Sequence, residues 1–174
     1  MRRVTFSIFL LCFFYNVKAQ RLLSWAPEFP LDNSTLNITV DCTKGNQGLL
    51  NFEGGNSNNV YVHVGVITNL STGPGDWKYV KFTWGSTDPA AHATPLGSNK
   101  YQYNISNIRS FFGVPAGETI QKITIIFRNA TGSIKQVNSD VSDMYLPVYA
   151  NSQYAVRFNL PPVEPGYIPW IDPL

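Results

Sequence analysis

Apolar residues recur along this chain mostly with a period of two. In Leu36-Asn37-Ile38-Thr39-Val40-Asp41-Cys42, the residues Leu36, Ile38, Val40 and Cys42 share one face of a strand, and Asn37, Thr39 and Asp41 share the other. Val60, Val62, Val64 and Val66 alternate in the same way with Tyr61, His63 and Gly65. The pattern predicts strands near residues 36–43, 48–52, 59–67, 77–84, 100–105, 121–129 and 144–149. Turn residues separate them at Lys44-Gly45-Asn46, Gly54-Gly55-Asn56, Gly73-Pro74-Gly75, Gly97-Ser98-Asn99 and Thr131-Gly132-Ser133. One segment carries helical spacing instead. Ser106 is placed to cap it, Ile108, Phe111 and Phe112 fall on one side, and Gly113 with Pro115 ends it. Short strands with such punctuation predict an all-β fold. The expected form is an immunoglobulin-like antiparallel β-sandwich with one short helix packed over an end.

The two ends of the chain differ in texture from this middle. Arg2 and Arg3 precede an apolar run from Val4 to Tyr15, and Val17 and Ala19 stand where a leader would be cut before Gln20. Residues 1–19 therefore read as a signal peptide, and the protein as secreted, periplasmic or on the cell surface. The apolar run is short for a bilayer, so no membrane span is expected. A buried N-terminal element is the alternative. A lipid anchor on Cys12 is disfavoured, because Leu11 precedes it where a small residue is wanted. Residues 20–33, with Pro27 and Pro30, read as an irregular lead-in to a domain over 34–150. Beyond it, 154–160 alternates once more, and then Pro161-Pro162-Val163-Glu164-Pro165 blocks regular structure. Residues 151–174 read as a linker or the start of a following domain, against the alternative of a disordered end.

Composition narrows the function classes. The chain has 174 residues, a net charge of +2, 14% charged residues and 14% aromatic residues. So little positive charge argues against a nucleic-acid partner, whose binding comes from phosphate neutralisation. Cys42 alone remains after leader removal, so stability must come from an apolar core. Its place in the alternation makes it a buried apolar side chain. There is no glycine-rich phosphate loop, no His-x-x-x-His and no Gly-x-Ser-x-Gly, and no cofactor is expected. Asp140 and Asp143 form the one close acidic pair, a candidate for calcium whose commoner reading is a solvated turn. Asn33, Asn37, Asn69, Asn104 and Asn129 begin Asn-x-Ser/Thr triplets, which matter only if the protein passes through a glycosylating route.

Alternation also selects the candidate site. In Trp77-Lys78-Tyr79-Val80-Lys81-Phe82-Thr83-Trp84, the residues Val80, Phe82 and Trp84 share a face that would join the valine face in a core. Tyr61, His63, Trp77 and Tyr79 are then left outward on neighbouring strands. Flat rings beside polar groups suit the apolar face of a pyranose, whose hydroxyls His, Lys and Thr can engage. The competing reading buries Tyr61 and Trp77 under the loop of residues 85–99 as a satellite of the core.

At these residues the chain resembles a known group. Val60-Tyr61-Val62-His63-Val64-Gly65 followed by Asp76-Trp77 is similar to the starch-binding carbohydrate-binding modules of families 25 and 26. Trp77-Lys78-Tyr79-Val80, the run from Phe127 to Ser133, and Ser142-Asp143-Met144-Tyr145 resemble N-terminal immunoglobulin-like (E-set) domains of secreted bacterial α-amylase-family proteins. The resemblance implies Tyr61, His63 and Trp77 as a platform that stacks on α-glucan; Tyr79 joins them from periodicity alone. It also implies a further β-domain and a catalytic domain in the same parent protein. The segment between His63 and Trp77 is longer than the group's usual spacing.

Three functions follow from different classes. The preferred one is a noncatalytic carbohydrate-binding module that holds α-glucan or a related polysaccharide. The second is a structural E-set spacer packed against a glycoside hydrolase catalytic domain without binding glycan. The third is a small hydrolase, which no pair of acids placed by the sequence supports.

Overall fold

A computed structural model describes residues 21–150. The segments read as signal peptide and as linker or following domain lie outside the described residues. Two antiparallel sheets face each other. The first has the order β1 (Leu23–Ala26), β2 (Leu36–Asp41), β5 (Lys100–Ile105), β4 (Thr94–Gly97). The second is built around β6 (Ile120–Asn129). It pairs with β3 (Val60–Thr68) on one edge, and with β7 (Lys135–Gln136) and β8 (Met144–Pro147) on the other. A short helix, α1 (Ile108–Phe112), the single α-helix among the described residues, follows β5. This is the expected all-β sandwich.

The core is the meeting of the predicted faces. Leu36, Ile38, Val40 and Cys42 are fully buried, as are Val60, Val62, Val64 and Val66. They meet Tyr101, Tyr103 and Ile105 from β5 and Ile123, Ile125 and Phe127 from β6 in one cluster. Strand β6 is covered on both faces over residues 123–128. Its outward residues Thr124, Ile126 and Arg128 are buried too.

Four segments differ from the expected pattern. Residues 48–52 form turns, not a strand, since Gln47, Asn51 and Glu53 take left-handed backbone that a ladder does not accept. The lead-in is not all irregular, because it supplies β1, whose Leu23 pairs with Val40. Asn107, not Ser106, caps α1, its side chain accepting from the Ser110 amide at 3.1 Å. The largest difference lies at 77–84. That segment touches β3 through the Val66–Lys78 bridge and the Lys81 N–H to Val64 carbonyl bond of 3.0 Å, without forming a strand. Tyr79 sits at φ 51°, which breaks the alternation. Phe82 enters the core, whereas Val80 and Trp84 are 43% and 42% exposed, so the expected core face of three does not form.

Candidate functional site

The outer face of the second sheet carries Tyr61, His63 and Gly65 on β3, opposite Arg128, Ile126 and Thr124 on β6. The 77–84 segment folds over this face. Gly65 makes room for it: a Cβ there would lie 3.1 Å from the Lys78 carbonyl oxygen and 3.4 Å from the Trp77 ring. A larger residue on β3 would lift the segment away, so the glycine is what lets Trp77 lie down on the sheet.

Three rings meet there. His63 stacks on Trp77 with centroids 5.6 Å apart and an interplanar angle of 28°. Trp84 meets His63 edge-on at 5.2 Å. The cleft they form has a volume of about 330 Å³ and is completed by Val80, Ile126, Lys135 and Asp143. It offers an apolar wall with an ammonium and a carboxylate on its rim.

Trp84 is held although it is exposed. The Arg128 guanidinium lies 5.7 Å from its ring centroid and equally 5.7 Å from that of Tyr61. Arg128 donates to the carbonyls of Ser86 at 2.6 Å, Asn129 at 2.9 Å and Ala130 at 3.0 Å. Those bonds tie the chain just after Trp84 to the turn after β6. Gly132 in that turn lies against the indole, and a Cβ on it would fall 2.4 Å from Trp84 Nε1.

The predicted residues separate. His63 and Trp77 come together as expected. Tyr61 is half-buried, edge-on to His92 at 5.5 Å, and serves as the far wall of the Arg128 site. It lies beneath the 85–99 loop, as the satellite-core reading has it. Tyr79 is not brought to the cleft. It packs against the core, and its hydroxyl donates to Glu118, which also accepts from Thr68. Tyr79 was assigned outward from a strand phase that its own φ interrupts. Asp140 accepts from the Ser142 amide and hydroxyl within its turn, while Asp143 lines the cleft. Among the described residues, no group of three His, Cys, Asp or Glu side chains is placed to hold a metal.

Trp84, Arg128, Lys135 and Gly132 are not picked out as site residues by the sequence pattern, and Asp143 is picked out only as a calcium candidate. Two signals point to Trp84, Gly132 and Arg128. Trp84-Gly85 and Thr131-Gly132 are turn pairs that meet in space, and Arg128 is a lone cation at the end of an apolar run.

Burial lowers the His63 pKa and the Arg128 charge adds to this; a hydrogen bond to the Phe82 backbone and the nearby Asp143 work the other way. The imidazole is therefore neutral at pH 7. Its Nδ1 is buried without a hydrogen-bond partner. Burial also lowers the Arg128 pKa, but a guanidinium starts so high that it stays charged.

No protein-family model matches the chain. No curated protein matches it either.

Proposed function

We propose that this domain is a noncatalytic carbohydrate-binding module of a secreted glycan-degrading protein, holding α-glucan weakly in the His63–Trp77–Trp84 cleft. The observation that carries the reading is Trp84, a ring 42% exposed yet fixed by Arg128, Gly132 and His63. An exposed ring held in place loses little freedom on binding, which is what a stacking platform needs. Lys135 and Asp143 line the same cleft and supply a donor and an acceptor of the kind that sugar hydroxyls engage.

Covering about 60–80 Å² of ring face contributes roughly 1.5–2 kcal/mol per ring. Two rings and a few hydrogen bonds, less the cost of association, give a dissociation constant of about 0.1–1 mM. Such affinity becomes useful when a linked enzyme engages the same polymer. Retardation in native gels containing soluble starch tests the reading. Wild type is expected to be slowed and Trp84→Ala to run free. Unretarded wild-type protein overturns it.

The second reading is an E-set spacer that packs on a catalytic domain. Exposed Val80 beside Trp84 favours it, since both are apolar and could form a seam. It predicts no retardation by any glucan.

A further inference from the structure

The outer face of the second sheet holds a second cleft beyond the first. It has a volume of about 350 Å³ and is lined by Ile67, Thr72, Pro74, Gln121, Lys122 and Tyr145, among others. We infer that it is a second carbohydrate-contacting subsite, so that one glucan chain runs along the sheet from the Trp84 cleft to the Tyr145 cleft. The inference rests on the carbohydrate reading of the first cleft.

Register places the two clefts in line. Ile126 of the first and Lys122 of the second both face outward on β6, opposite His63 and Ile67 of β3. Four residues of strand separate them, about 13 Å at roughly 3.3 Å per residue. A short run of glucosyl units covers that distance.

The clefts are also chemically alike. Each combines an aromatic wall with a lysine: Trp84 with Lys135 in the first, Tyr145 with Lys122 in the second. Lys122 Nζ stands 5.7 Å from the Tyr145 ring centroid, so the ammonium rests against the ring that shares the cleft with it. Gln121 adds a carboxamide that can both donate and accept.

What lies between them is the Gly73-Pro74-Gly75 turn. Gly75 borders the first cleft, and Gly73 and Pro74 border the second. The Tyr145 hydroxyl donates to the Pro74 carbonyl at 3.0 Å and pins the turn to β8. A Cβ on Gly73 or Gly75 would meet nothing within 4 Å, so the space over both glycines is open and the exposed Pro74 ring is the one side chain of the turn between the clefts. A sugar chain can cross the turn without meeting a side chain from either glycine.

Titration calorimetry with maltotriose and maltoheptaose tests this. Wild type is expected to bind maltoheptaose about tenfold more tightly, a difference of about 1.4 kcal/mol. Gln121 and Lys122 are exposed, so replacing both with alanine leaves the core intact. That double variant should bind maltoheptaose only as tightly as maltotriose, with maltotriose affinity unchanged. Equal affinity of wild type for the two sugars overturns the second subsite and leaves the first standing. So does a double variant that keeps the full length dependence. Failure of wild type to bind either sugar overturns the carbohydrate reading, and the second subsite falls with it.

Discussion

Arg128 is fully buried, and its guanidinium lies 5.7 Å from the centroid of the half-exposed Trp84 ring. Among the described residues it forms no ion pair; its two terminal nitrogens donate to three backbone carbonyls, its Nε is buried without a partner, and its faces meet two aromatic rings. Burying a cation without a carboxylate is costly, and removing the cation strands the carbonyls it serves. Arg128→Met is expected to destabilise the fold by about 2–4 kcal/mol, read from urea denaturation. It should also weaken starch retardation, because Trp84 loses its anchor. Arg128→Lys should recover little of either, since an ammonium cannot fork to three carbonyls. Wild-type stability in the methionine variant would remove Arg128 from this role.

Gly132 offers a smaller test of the same anchor. Its φ of 77° disfavours any side chain, and an added Cβ would collide with the Trp84 indole. Gly132→Ala should cost about 1–2 kcal/mol and reduce glucan binding. Gly113 has a similar φ of 75° with nothing within 4 Å of an added Cβ. Gly113→Ala should therefore lose stability without losing binding.

His63 gives the domain an acid-side pH dependence. Its folded pKa lies below the ordinary 6.5, chiefly through burial. As pH falls, the unfolded chain takes up the proton first, so stability is complete above 6.5 and declines as pH drops below it. The decline levels off once the folded-state pKa is passed. Thermal melts between pH 8 and pH 5 should show this fall, and His63→Gln should flatten it.

The Glu118 carboxylate holds Tyr79 and Thr68, and with them the segment that carries Trp77 and Trp84. Those two hydrogen bonds keep its pKa below the ordinary 4.5. The stabilisation is therefore present above 4.5 and lost as pH falls through the folded-state value. Glu118→Gln keeps one acceptor and loses the other. Hydrogen exchange should then quicken at the Lys78 and Lys81 amides, which bond to β3. Unchanged exchange there would show that the segment is held by packing alone.

Cys42 should be inert in the folded protein. Burial, with Asp41 adding to it, pushes its thiol up to about 12. Thiolate-directed reagents are expected to label it only across the unfolding transition. Because the unfolded thiol ionises near 9.0, stability should also fall above that pH.

How much of this was legible in the sequence depends on whether a segment's side chains or its backbone decided its structure. The valine face of β3 and the Leu36–Cys42 face of β2 were readable, because burying a whole stripe of apolar residues fixes a strand's phase. The 77–84 segment reads as a strand by the same rule and is not one. Its backbone turns at Tyr79, and no pattern of apolar residues encodes a positive φ at a tyrosine. That single turn exchanged roles within the candidate site: Tyr79 went to Glu118, and Trp84 went from expected core to the cleft wall. The stretch at 48–52 failed for the same reason, with left-handed backbone at Asn51 within it and at Gln47 and Glu53 on either side.

The sequence by itself determined the sandwich, its short helix, the core faces of β2 and β3, and the outward side of β3 that carries His63. These follow from alternation, which is local and needs no knowledge of neighbours. Only the tertiary structure decided which rings meet. Trp84 and Arg128 lie 44 residues apart in sequence. Their contact exists because β6 returns beside β3 and two turns, at Gly85 and Gly132, are drawn together by one guanidinium. A contact of that kind is set by register between strands and by the path of loops, and neither is written in the period of a single strand.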